Sequence, residues 1–131
     1  MSIESAVRRL CEKGGVEADI LRVLAARNGV VWSSELPMDL TEMYDFLGTR
    51  SEASREEVER ALKKLASDGL VSLENRKRTA GVSGEPAKDI LVNVNDLRGL
   101  RLALTQDDIY RRYNYGRYTR VRDALERKGQ A

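Results

Sequence analysis

The chemistry open to this chain of 131 residues is narrow, because it contains no histidine and a single cysteine, Cys11. Acid–base or nucleophilic catalysis that depends on imidazole is therefore excluded. Structural zinc needs about four thiolate or imidazole ligands at close spacing, and the chain cannot supply them. Cys11 sits next to Leu10 on a predicted helix and reads as a partly buried spectator. No paired acids stand in a glycine-lined setting. The sequence reads as that of a non-enzyme with no metal and no cofactor.

What remains is the chemistry of cations. Lys and Arg number 23 against 21 Asp and Glu, a net charge of only +2, but the distribution is uneven. Residues 1–75 carry 10 basic and 14 acidic side chains, whereas residues 98–131 carry 9 and 4. A mildly acidic body thus bears a basic loop and a basic tail, the asymmetry expected of a chain that meets a polyanion. Four groups of residues are placed to meet phosphates or base edges. Arg50, Ser51, Ser54 and Arg55 flank a helix start, and Arg60 and Lys63 lie on that helix. Arg76, Lys77, Arg78 and Lys88 belong to a glycine-flanked loop, and Arg111, Arg112, Arg117 and Arg120 to the tail.

The elements that must position these side chains can be read from capping signals and apolar spacing. Residues 2–13 form a short amphipathic helix with Ile3, Val7 and Leu10 on one face, ended by Gly14-Gly15. A second helix runs from about Glu17 to Asn28, with Ile20, Val23 and Leu24 buried. Val30-Val31-Trp32 is a stub of strand. A third helix is expected after Asp39, with Asp39 as cap and Glu42 reaching back to it, and Gly48 closes it. The fourth starts with a capping box, Ser54-Arg55-Glu56-Glu57. Its Val58, Ala61, Leu62 and Leu65 fall within about 100° of arc, one buried face. Two β-prone runs, Leu70 to Leu73 and Ile90 to Val94, flank a Gly/Pro-containing stretch from Glu74 to Asp89 and read as a hairpin with a long tip.

The stretch from Ser54 to Val71 resembles the recognition helix and first wing strand of winged helix-turn-helix proteins. The capped start, the V-x-x-A-L-x-x-L core and the exit Asp68-Gly69-Leu70-Val71 carry the resemblance, which extends over about 80 of the 131 residues. MarR-type regulators and many archaeal transcription factors share this pattern. The connection between the third and fourth helices departs from it, being longer than the usual three or four residues. The resemblance implies a mainly α fold with a small β-hairpin (α+β), a winged helix-turn-helix with added N- and C-terminal helices. Three parts are expected: an N-terminal helix over 1–15, the winged domain over 16–97, and a basic, Tyr-rich helical segment over 98–131. It also implies duplex DNA as partner and a dimeric transcription regulator, with the helix over 54–67 and the hairpin over 74–89 on the DNA.

Three features compete with that expectation. Glu56 with Arg60, and Glu59 with Lys63, are i,i+4 pairs that suit a merely solvated helix face. The acidic body and glutamate-rich helix would also suit a protein-interaction subunit of a multiprotein assembly. Trp32, Tyr44 and Phe46 could line an effector pocket, though core packing accounts for them more simply.

In the tail, Thr105-Gln106-Asp107-Asp108 resembles a helix start, and Asn114-Tyr115-Gly116 is expected to interrupt that helix. Ile109, Tyr110 and Tyr113 share one face, and Tyr118, Val121 and Leu125 make an i, i+3, i+7 stripe, both suited to core packing or to a homodimer. A basic-aromatic nucleic-acid surface and a degenerate second helix-turn-helix are the alternatives. No apolar run approaches the ~18 residues of a membrane span, and the N-terminus lacks a secretion core, so no membrane partner and a cytoplasmic location are expected.

Overall fold

The backbone order of the chain follows from where its turns are forced. In the computed structural model, residues 2–49, 52–79 and 86–129 are described. They form α1 (Ile3–Lys13), α2 (Val16–Ala26), β1 (Val30–Trp32), a short 3-10 turn (Ser33–Glu35), α3 (Leu36–Leu47), α4 (Arg55–Ser67), β2 (Val71–Thr79), β3 (Pro86–Val94), α5 (Leu97–Leu104) and α6 (Asp108–Gly129). The fold is mainly helical, with one small antiparallel sheet in the order β1-β3-β2.

α2 is the central helix. Ala18 and the whole run Ile20 to Ala25 are buried, so it is covered on nearly every side. α1 packs on α2 and α5, α4 packs on α2, and α6 packs on α3. The turn out of α2 needs two consecutive left-handed residues, Asn28 at φ 60° and Gly29 at φ 88°. A side chain on Gly29 would also meet Val94 Cγ1 at 2.9 Å, because this turn closes directly onto β3. Val31 pairs with Val92 and Trp32 with Leu91, which places β1 beside β3.

The capping box of α4 is formed as the sequence predicts. The Ser54 hydroxyl accepts from the Glu57 N–H at 3.1 Å, and the Ser54 N–H donates to Glu57 Oε1 at 3.3 Å. Val58, Ala61, Leu62 and Leu65 are buried. Substituting Ser54→Ala is expected to lower the unfolding free energy by about 1 kcal/mol, read from a shifted urea midpoint with an unchanged slope.

Four local expectations are corrected. α3 begins three residues before Asp39, because Leu36 and Pro37 already suit its first turn. Asp39 is no cap: it is 5% exposed and accepts from Arg27 Nη2 at 2.7 Å. Glu42 turns outward to Arg120 instead of reaching back to Asp39. The hairpin strands are longer than their apolar runs, since pairing continues through Arg76, Lys77 and Arg78 to Thr79 opposite Pro86.

The tail differs most. A separate helix, α5, precedes α6, its start capped by Asp96, whose carboxylate accepts from the Gly99 N–H at 2.9 Å. α6 then runs without interruption through Asn114-Tyr115-Gly116. Gly116 is kept helical by what lies on it: a side chain there would run into the Phe46 ring of α3, so the bare backbone is what lets the two helices meet. With no turn in α6, a second helix-turn-helix does not exist.

The start of α6 is anchored by a buried ionic network. Arg22, 2% exposed, donates to Asp107 from Nε at 2.8 Å and from Nη2 at 2.9 Å, and to Asp19 from Nη1 at 2.7 Å. The Tyr44 hydroxyl donates to Asp19 at 2.7 Å, and Asp107 caps α6 by accepting from the Tyr110 N–H at 2.8 Å. Burial alone would raise the Asp107 carboxyl, but the bonds from Arg22 and Tyr110 outweigh it and hold it below the usual carboxylate range. Burial pushes the neighbouring Cys11 thiol up.

Candidate functional site

The strand period of two sorts the hairpin cations onto opposite faces. Lys77 shares a face with Val71, and Lys88 with Val92, so both lysines continue outward the face that is buried further down. Arg76 and Arg78 lie on the other side. This division separates side chains that are adjacent in sequence and decides which are available.

Arg78 is engaged within the fold. Its guanidinium lies 4.8 Å from the centre of the Trp32 ring and meets Asp89 at 3.3 Å and Glu35 at 3.1 Å. Asp89 gathers further donors, the Ser33 hydroxyl at 3.2 Å, the Ser34 hydroxyl and the Ile90 N–H at 2.8 Å. Burial by itself would raise the Asp89 carboxyl, yet these bonds together leave it lowered. The cluster fixes the outer, tip-side end of the paired strands to the turn before α3. Arg76 is paired with Glu74 on its own strand at 3.0 Å. Two of the three basic residues expected on a free tip are therefore held in the strand by neighbours. Arg78→Ala is expected to change affinity for a polyanion by less than about twofold while costing about 1 kcal/mol of stability, measured by titration and by denaturation on the same sample.

Lys77 and Lys88 are the contrast. They are exposed and stand directly opposite each other in the register. Like charges at opposed positions of an antiparallel pair destabilise it unless an anion lies between or above them. Across from Lys88 lies the N-terminal turn of α4. An open cleft of about 490 Å³ separates them, lined by Arg55, Val58, Glu59 and Leu62 on one side and by Lys88, Asp89 and Ile90 on the other. Ser33, Ser34 and Pro37 form its end. Arg55 reaches Glu59 only at 3.9 Å and is well exposed.

On α4, the pairs Glu56–Arg60 and Glu59–Lys63 expected from the spacing are not formed. Lys64 pairs instead with Asp68 at 3.3 Å. Arg60, Lys63, Lys77 and Lys88 take part in no ion pair among the described residues. Lys63 lies one turn on from Glu59 of the cleft, whereas Arg60 lines a shallow depression with Lys13, Gly15 and Glu57 beside the start of α2. Ser54 serves as the cap of α4. Arg50, Ser51 and the hairpin tip over 80–85 lie outside the described residues.

No family model matches this chain. Comparison with curated protein sequences likewise finds no match.

The tail residues divide in the same way. Arg117 donates to the Ala26 carbonyl at 2.7 Å and lies 5.9 Å from the centre of the Tyr113 ring. Arg120 meets Glu42 at 3.2 Å and lies 5.3 Å from the centre of the Phe46 ring. Both hold α6 against the body. Both are engaged in packing, although Arg120 remains exposed. Arg111 and Arg112 are exposed, and no hydrogen bond or ion pair among the described residues joins them to α4 or the hairpin. Tyr113 is buried and Tyr110 half-buried, which makes them core. Ile109, Tyr118, Val121 and Leu125 are exposed and form no part of it.

The aromatic pocket does not assemble. Trp32 lies under Arg78, Tyr44 is buried with its hydroxyl on Asp19, and Phe46 covers Gly116. The sequence reading missed the opposed lysines as a pair, because opposition depends on register. It also missed Asp89, whose signal was weak: one of three acids, with Glu74 and Glu85, between Val71 and Val94.

Proposed function

We propose that this chain is a winged helix-turn-helix protein that binds duplex DNA, with α3 and α4 as the helix pair and β2–β3 as the wing. The element order α2-β1-α3-α4-β2-β3 and the strand order β1-β3-β2 support the assignment, because they leave α4 with one face on the core and the other in solvent. The observation that carries the reading is the exposed, unpaired Lys88, opposed by Lys77 in the strand register and facing Arg55 across the cleft beside α4. A phosphate backbone running along that cleft relieves the lysine repulsion, while the Ser33 and Ser34 hydroxyls at its end stay on Asp89. Lys63 on the outer face of α4 then points toward a groove.

The glutamates of α4 bear on how this binding works. Glu56 and Glu59 are exposed at the helix N-terminus, where they favour the helix dipole and oppose close phosphate approach. Binding therefore leans on the wing side of the helix rather than on its first turn. In this proposal the wing sets affinity and α4 sets register, a division that suits a transcription regulator.

Fluorescence anisotropy with a labelled duplex of about 20 base pairs tests the reading. Affinity is expected to fall steeply as salt is raised, with a log–log slope of about −3 to −5 for four or five phosphate contacts. Absence of binding at low salt contradicts the proposal and favours a protein-docking role for the acidic α4 face.

A further inference from the structure

The outward side of α6 carries a second basic surface, different in kind from the cleft beside α4. From Arg111 to Arg122 the helix holds five arginines, no lysine and no acid. Two of them are docked, Arg117 on the Ala26 carbonyl and Arg120 on Glu42, and each also lies over a ring, Tyr113 or Phe46. The other three face solvent. Arg111 and Arg112 are exposed and join no ion pair among the described residues, and Arg122 reaches only Glu126, at 3.9 Å.

Helix geometry aligns these free cations with exposed rings. At about 3.6 residues per turn, Arg111, Tyr115, Tyr118 and Arg122 fall within about 60° of arc, opposite the buried Tyr113. Tyr115 is 68% exposed and Tyr118 64%, and no guanidinium covers either ring among the described residues. Val121 and Leu125, also exposed, border the stripe. The docked face of α6 pairs its arginines with rings and oxygens of the body, whereas the outer face leaves both kinds of group open. A merely solvated helix face interleaves both signs of charge and keeps large rings off its outermost line.

We propose that this stripe binds single-stranded nucleic acid. The site is separate from the duplex cleft and does not rest on it: α6 packs on α3, and the stripe lies on the side of α6 turned away from that contact. Backbone phosphates meet Arg111 and Arg122, about 16 Å apart along the helix, with Arg112 beside them. Bases lie on the Tyr115 and Tyr118 rings between, since every base offers a π-face and stacking requires no particular sequence. In a duplex the base faces are stacked on one another, so two exposed rings find nothing to lie on. A single strand leaves those faces free. Arginine in place of lysine suits the same ligand, because its planar guanidinium both forks onto phosphate and stacks on rings. The face and the strand are complementary in charge and in aromatic surface.

Fluorescence anisotropy of the full chain with labelled oligothymidylate and oligouridylate of about 12 nucleotides tests this. Binding of either is expected, with a log–log salt slope of about −2 for three arginines, and the tighter of the two identifies the strand as DNA or RNA. Tyr115→Leu combined with Tyr118→Leu is expected to weaken binding about tenfold or more, whereas Tyr115→Phe with Tyr118→Phe keeps it within about threefold. Leucine preserves apolar area and phenylalanine preserves the ring, so the two variants separate stacking from simple burial. Both positions are exposed, and the circular dichroism of each variant is expected to match the wild type. The leucine variant should keep any duplex affinity within about twofold. Absence of binding to both oligonucleotides at low salt overturns the proposal, whatever the chain does with a duplex. Equal losses in the leucine and phenylalanine variants overturn it too, as does equal affinity for a polyglutamate of the same charge, which has no base to stack. A chain that is dimeric without nucleic acid and becomes monomeric in the leucine variant also overturns it, because a second copy then covers the stripe.

Discussion

Replacing Lys77 and Lys88 together by alanine is expected to weaken duplex binding tenfold or more at about 0.1 M salt and to reduce the magnitude of the salt slope by about two. The expectation is this large because the two side chains act at one place. They are opposed in register, exposed and unpaired, so each raises the local potential that the other contributes to. Without an anion their repulsion works against the hairpin, and the double variant is expected to be equally stable or slightly more stable in the absence of DNA. A loss of affinity with no loss of stability separates a ligand contact from a structural one. Arg78 provides the internal contrast: it is adjacent to Lys77 in sequence but is held by Trp32, Asp89 and Glu35.

The second large effect concerns stability. Arg22→Met is expected to cost about 3 kcal/mol or more, since removing one member of a buried ionic network strands its partners. Asp107 and Asp19 would remain mostly buried with their main cation gone. Asp107 also caps α6, so the loss is expected to loosen the α6 start, seen as faster amide exchange over 108–113. The pH dependence has a defined sign. The folded-state pKa of Asp107 is lowered, so its contribution is fully present above the unfolded value of about 3.9 and is lost as pH falls below it. The stability gap between wild type and Arg22→Met should therefore be constant near neutrality and narrow below about pH 4.

How far the sequence foretold these features depends on whether they are local. The α4 start was legible because a capping box is a four-residue signal, and its buried face because 3.6-residue spacing is visible in Val58, Ala61, Leu62 and Leu65. The first helix and the β1 stub were legible for the same reason. Asp39 misled because a cap and a buried ion-pair acceptor are the same residue type, and Arg27, twelve positions earlier, decides between them. Gly116 misled because glycine ordinarily breaks helices, and only Phe46 on α3 reveals why it is tolerated there. α5 carried readable signals in Asp96 and the spacing of Leu97, Leu100 and Leu104, and was overlooked beside the more conspicuous tyrosines.

The candidate site divides along the same line. Which residues are basic was plain, but which are available was not. Availability depends on strand register for Lys77, Lys88 and Arg78, and on helix docking for Arg117 and Arg120. Sequence adjacency grouped Arg76, Lys77 and Arg78 together, whereas the pleat sends the middle one to the opposite face. The missing Glu56–Arg60 and Glu59–Lys63 pairs have a similar lesson, since favourable i,i+4 spacing permits an ion pair worth only ~0.3–0.5 kcal/mol and does not compel it.

The most direct test of the proposed interface is an amide chemical-shift titration of the isotopically labelled chain with a short duplex. The account predicts the largest changes over 55–63 of α4, at 33–34 in the turn before α3, and at 77 and 88 in the hairpin, with α1 and α5 little affected. Changes confined to α1, α5 or the first turns of α6, with the cleft between Arg55 and Lys88 unmoved, would contradict it.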